Sequence, residues 1–156
     1  MSAPADNPGV KVPPPLFYVS GFLAGAALEK WAARLAIGPR QPLAAIGWCL
    51  ALAALAFAAW AMITFWRART AIIPHRPASR LVRHGPYRFT RNPMYVALTT
   101  LYVGLALLFN IAWPLLFLPI VLLAMTLFVI RREERYLLRT FGEDYARFMR
   151  EVRRWV

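Results

Sequence analysis

Leu81-Val82-Arg83-His84-Gly85-Pro86-Tyr87-Arg88-Phe89-Thr90-Arg91-Asn92-Pro93-Met94-Tyr95 is one of two polar, Arg- and Tyr-rich stretches in the chain. The other is Arg131-Arg132-Glu133-Glu134-Arg135-Tyr136-Leu137-Leu138-Arg139-Thr140-Phe141-Gly142-Glu143-Asp144-Tyr145. Between them runs a strongly apolar segment with a turn signal at Asn110. An antiparallel hairpin returns its ends to the same side of a membrane, so the two stretches are expected to meet at one water–lipid boundary. Aromatics, arginines and a carboxylate pair gathered there suit a cationic cofactor and a lipid-like substrate.

Working outward, the 156 residues suffice for one domain, expected to be a single membrane unit over 1–156. The chain is 60% hydrophobic with a mean hydropathy of +0.47, too apolar for an ordinary soluble domain. Its net charge of +12 comes almost entirely from Arg flanking apolar runs. That placement points to a cytoplasmic membrane face and membrane lipids as partners, and away from nucleic acid. Cys49 is alone in an apolar run, so neither a disulfide framework nor a thiolate metal site is expected. No other metal constellation, Gly-rich phosphate loop or Ser/His/Asp grouping is credited. Ala- and Arg-rich, Lys-poor usage points to a bacterial source, hence an inner membrane with a cytoplasmic active site.

Residues 1–15, ending Val12-Pro13-Pro14-Pro15, read as a flexible arm, with no basic run and cleavage site to make a signal peptide. Spanning helices are expected over 16–37, the weakest because of Glu29, Lys30 and Arg34, and over 43–66, with Trp60 and Trp66 as interface anchors. Gly21 and Gly25 allow close helix packing in the first. The loop 67–92 carries Arg67, Arg69, Arg76, Arg80, Arg83, Arg88 and Arg91 and no acid, so the positive-inside rule makes it cytoplasmic. Pro93 is placed to open the next helix, 94–109, which turns at Asn110 and returns as 111–130, with Pro119 as an expected kink. From Arg131 the helix leaves the membrane, and Gly142 stops it. Tyr145, Phe148, Met149 and Val152 give a last amphipathic helix, expected to lie on the headgroup surface. The fold class is therefore all-α: a polytopic membrane protein of about four transmembrane helices with a cytoplasmic C-terminal amphipathic helix.

Glu133 and Glu134 end a membrane helix, where a carboxylate is costly unless paired or used. Their i+4 partners are Leu137 and Leu138, which leaves Arg131–Glu134 as the nearest helical pairing. A carboxylate there can accept both hydroxyls of a ribose or balance a sulfonium. Tyr87, Tyr95, Tyr136 and Tyr145 are expected either in the interfacial aromatic belt or as a wall for an adenine or a cation. His84 is a candidate general base and otherwise a solvated loop residue; His75 is a weaker candidate.

In order and spacing these residues resemble the integral-membrane methyltransferases of the isoprenylcysteine carboxyl methyltransferase and phospholipid methyltransferase group, particularly their short bacterial members. The pattern is Gly85-Pro86-Tyr87-Arg88, then Arg91-Asn92-Pro93-Met94-Tyr95, a membrane hairpin, Glu133-Glu134 with Leu137, and Phe141-Gly142 with Tyr145. The resemblance is strong over 70–155, expected to be the cofactor and catalytic part. It implies S-adenosyl-L-methionine bound on the cytoplasmic side and a lipophilic acceptor arriving from the bilayer. Carried over, Asn92, Pro93, Tyr95, Glu133 and Glu134 belong to the cofactor pocket, with Tyr87 as aromatic wall. Gly104 falls where related enzymes have a Gly-x-Gly element whose second Gly is Ala106 here. Glu134 and Arg91 are the candidate catalytic residues, the first assisting an amine acceptor and the second holding an anionic one. The prenylcysteine enzymes place an Arg five residues before their matching Glu, where this chain has Val129. A residue turns a helix by about 100°, so Arg131 and Arg132 point about 200° and 300° away from position 129. Two alternatives stand beside this reading: an NADPH-dependent reductase of the sterol reductase type, and a non-catalytic lipid-binding membrane protein.

Overall fold

Proline punctuates the helix starts. Pro14 opens α1 (Pro14–Trp31), Pro39 precedes α2 (Arg40–Arg67), Pro93 opens α3 (Pro93–Phe109), and Pro114 lies in the first turn of α4 (Trp113–Phe141). A proline at the first turn removes only an N–H that the helix leaves unpaired anyway. Gly142, at φ 51°, ends α4 and leads into α5 (Glu143–Glu151). This computed structural model describes residues 8–10, 12–68 and 81–156, and among them every regular element is helical. Part of the expected N-terminal arm, and the centre of the 67–92 loop with Arg69, His75, Arg76 and Arg80, lie outside the described residues.

α2 packs along α3 and α1 along α4. Glycines set both approaches. A Cβ added at Gly47 would come within 2.7 Å of the Gly104 carbonyl oxygen and of the Leu108 nitrogen, and one at Gly25 within 2.6 Å of the Pro114 nitrogen. α2 and α4 are long and apolar enough to cross a bilayer, whereas α3, at 17 residues, is a shorter apolar helix. Large apolar side chains face outward on both long helices, among them Trp48, Leu52, Leu55, Leu116, Ile120 and Leu123. Such an outer surface belongs against lipid or a partner rather than water.

One end of the bundle is tied together by Asn110, which adopts the left-handed conformation at the α3–α4 turn. Its Oδ1 accepts from the Ile37 and Gly38 N–H groups (2.9 and 3.2 Å), and its Nδ2 donates to the Gly38 carbonyl (3.0 Å). The α1–α2 and α3–α4 connections therefore share an end. The polar loop before α3 and the continuation of α4 beyond Ile130 share the other.

Three expectations are corrected. The first helix stops at Trp31 rather than reaching residue 37, because the Glu29 carboxylate turns back to accept from the Leu35 N–H (2.9 Å) and Asn110 holds the backbone that follows. α4 continues as helix through Pro119, and its irregularity is a π turn at Thr126–Ile130, directly before the polar stretch. α5 does not lay its apolar face on a headgroup surface. Tyr145 and Phe148 are buried against Val82 and Tyr87, and Val152 lies just past the end of the helix.

Candidate active site

The two polar stretches converge. The Tyr95 hydroxyl donates to Glu133 Oε1 at 2.6 Å, joining the first turn of α3 to α4. One residue on, Glu134 is the most heavily engaged acid of the site. Arg154 Nε and Nη2 donate to its two oxygens at 2.9 and 2.7 Å, and Arg91 Nη1 stands 3.0 Å from Oε1. The Arg91 and Glu134 side chains are each only 8% exposed, whereas that of Arg154 is 34% exposed. Glu134 thus pairs with two arginines distant in sequence, and the helical pairing with Arg131 is not used.

Arg91 is placed by backbone. Gly85, at φ 63°, brings the loop so close to α2 that a Cβ would sit 2.8 Å from the Thr64 Oγ1. The short 3₁₀ turn Gly85–Arg88 then buries Pro86 and Tyr87. Buried Thr90 accepts from the Asn92 N–H (3.1 Å), and Arg91 N–H donates to the Arg153 carbonyl (2.9 Å). The Arg154 carbonyl accepts from both Thr90 Oγ1 (3.1 Å) and Asn92 Nδ2 (2.8 Å). Residues 152–156 therefore cross the Arg91–Asn92 corner as a strap, and Trp155 packs against the core containing Tyr18, Tyr95, Met125 and Val129.

The Arg91 guanidinium lies near enough to Tyr145 to act on its phenol. Its contact with Glu134 lies off the line of a hydrogen bond, so Nε and Nη1 are buried without hydrogen-bond partners. A buried guanidinium with unfilled N–H groups is an unusual expense, and it favours an anionic guest. Burial, and after it the charge of Glu133, pushes the Tyr87 phenol well above its ordinary value. Burial and the Glu134 charge push the Tyr145 phenol up to about 12, while Arg91 pulls the other way. The bonds to Glu134 raise the Arg154 guanidinium above its ordinary value.

The structure brings Arg91, Asn92, Pro93, Tyr95, Glu133 and Glu134 together, and Tyr87 lies close enough for the Glu133 charge to act on it. Tyr87, Tyr95, Tyr136 and Tyr145 are all buried, so none sits in a lipid-facing belt. Gly104 is not at this corner. It lies eleven residues into α3, roughly 16 Å along the helix from Pro93, where it packs against Gly47 and Ala51. His84 is exposed on the loop. Thr90, Arg153 and Arg154 escaped the sequence reading, since nothing in local spacing ties an arginine just past a surface helix to a glutamate in the preceding one. Beside the corner, an open cleft of about 430 Å³ is lined by Leu127, Arg131, Glu134, Arg135, Leu138 and Met149. It joins an apolar wall to a basic rim.

The family of phospholipid methyltransferases matches residues 43–144, which takes in all of α2 but its first three residues, the loop, α3 and α4, and the chain belongs to it. No curated protein and no solved structure matches the chain.

Proposed function

We propose that this protein is a membrane methyltransferase that uses S-adenosylmethionine to methylate a lipophilic acceptor at the cytoplasmic face. In this reading four helices span the bilayer, with α1 and α3 completing the bundle made by the two long spans. The observation that carries it is the meeting of Arg91, Asn92 and Tyr95 with Glu133 and Glu134 in a chain of a methyltransferase family.

The residues present fit such a donor. A carboxylate held by a tyrosine suits ribose hydroxyls or a cationic centre, and unfilled N–H groups on a buried guanidinium suit a carboxylate. Tyr87 and Tyr95 supply aromatic surface next to the carboxylate, which suits a cation. When bound, the donor supplies an electrophilic methyl group on a sulfonium. The protein's part is to fix the donor at the corner, exclude water with the strap and the tyrosines, and hold the acceptor in line. The cleft supports an acceptor with an apolar body against Leu127, Leu138 and Met149 and a polar head near Arg131 and Arg135. An amine acceptor must shed a proton, a step in which Glu134 or His84 would assist.

Thermal shift of the purified chain in detergent tests the donor. Stabilisation by S-adenosylhomocysteine and none by NADPH is expected; the reverse pattern identifies a reductase and overturns the proposal. Methylation of a lipid extract with labelled donor, read by mass spectrometry, then identifies the acceptor.

A further inference from the structure

Two arginines converge on Glu134, and none on its neighbour. Arg154 occupies both Glu134 oxygens and Arg91 approaches one of them, so the three side chains together carry a net positive charge. Another cation gains little from a carboxylate already facing two guanidinium groups. Glu133 is different. Its contact is the neutral Tyr95 hydroxyl, its charge reaches Tyr87, and no Lys or Arg pairs with it among the described residues. The corner therefore has a polarity: an unmatched negative charge beside aromatic rings at Glu133, and unfilled positive N–H groups at Arg91.

We propose that Arg154 is a positioning residue that divides the glutamate pair by function. By neutralising and orienting Glu134, it makes that residue the anchor of Arg91 and leaves Glu133 as the carboxylate that meets the cationic end of the donor. The donor's carboxylate then belongs at Arg91. This rests on the donor-binding reading above and goes beyond it, because Arg154 lies outside the region matched by the family. It also reverses the weight that the sequence alone puts on Glu134. The strap has a second hold on the same corner through the Arg153 and Arg154 carbonyls, so removing the Arg154 side chain leaves the backbone contacts available.

The experiment is calorimetric binding of S-adenosylmethionine and of S-adenosylhomocysteine to the full chain in detergent. The first ligand carries a sulfonium charge and the second does not, so their affinity ratio reports the carboxylate that faces the sulfur. Glu133→Gln is expected to weaken the charged ligand about tenfold more than the neutral one, the size of one charge-assisted contact. Arg154→Met is expected to weaken both ligands equally, about tenfold, by freeing a buried carboxylate. Arg154→Lys is expected to recover a good part of that loss, since it returns a positive charge to Glu134 and leaves Arg91 its carboxylate. Thermal unfolding without ligand should show the same recovery, which separates site rearrangement from failure to fold. If Glu134→Gln rather than Glu133→Gln changes the ratio, or Arg154→Lys does not recover, the assignment is wrong while donor binding stands. If the wild type binds neither ligand, the methyltransferase reading falls and takes this assignment with it.

Discussion

Glu134→Ala should destabilise the protein far more than loss of an ordinary acid does, and the reason is Arg91. In the wild type Glu134 faces Arg154 at 2.9 and 2.7 Å and Arg91 at 3.0 Å. Arg154 is about one-third exposed and can turn to water when its partner goes, so its share is about 1 kcal/mol or less. Arg91 is 8% exposed and is held by its backbone to Arg153, so it cannot swing out to bulk water as Arg154 can. Removing one partner of a buried pair strands the other charge, at a cost of about 3–5 kcal/mol. Since Arg91 keeps Tyr145 as a polar neighbour, the lower end applies, about 3 kcal/mol. For a chain of this size that corresponds to a fall in Tm of roughly 6–12 °C. The assay is thermal unfolding in a fixed detergent, with Glu151→Ala, exposed at the end of α5, as control. A Glu134→Ala protein that melts with the control would show that Arg91 is not a stranded charge, and the pairing argument would fail.

Gly47→Ala should push α2 from α3, because its new Cβ meets backbone atoms at 2.7 Å that cannot swing aside; a loss of roughly 1–3 kcal/mol, read by denaturant titration in micelles, is expected. In a Cys49-free background, single cysteines at His84 and Glu143 should be labelled from the cytoplasmic side and one at Arg40 from the opposite side. Labelling of His84 and Arg40 from the same side would undo the four-span bundle. N-acetyl-farnesylcysteine should be methylated poorly or not at all, since position 129 offers an isopropyl group and not a cation. Turnover matching a dedicated prenylcysteine enzyme would show that another arginine does that work.

What could be read in the sequence is what short-range chemistry dictates. Pro93 starts a helix because its ring suits the first turn, Asn110 turns the hairpin because it tolerates the left-handed region, and Gly142 stops α4 for the same reason. With those in place, the meeting of Tyr95 and Glu133 follows from hairpin geometry. What stayed hidden depends on contacts distant in sequence. The early end of α1 rests on Glu29 and on Asn110, some seventy residues away. The amphipathic pattern of α5 is the same whether its apolar face meets lipid or Tyr87, and only the tertiary fold decides. Gly104 looked like a cofactor glycine because of its place in a motif, yet a glycine that lets two helices touch leaves the same letter in the chain. Arg154 had no local partner to betray it.

The π turn at Thr126–Ile130 bears on how charge is arranged here. A π turn holds more residues than an α turn, and such irregularities recur at functional sites. Rotation counted at a uniform 100° per residue from position 129 therefore misdirects Arg131 and Arg132. In the structure Arg131 is exposed, and Arg132 reaches the Gly9 carbonyl at 2.9 Å. Val129 and Ile130 are fully buried, in a cluster that includes Tyr18, Tyr95 and Met125. A guanidinium in place of Val129 would have to enter that apolar core and give up its hydration. A cation at this position would therefore disturb the packing around Tyr95, the partner of Glu133. The chain supplies its buried positive charge from outside the helix instead, from the loop at Arg91 and the strap at Arg154. Both are held by backbone contacts that leave α4 free to place the two carboxylates in different surroundings.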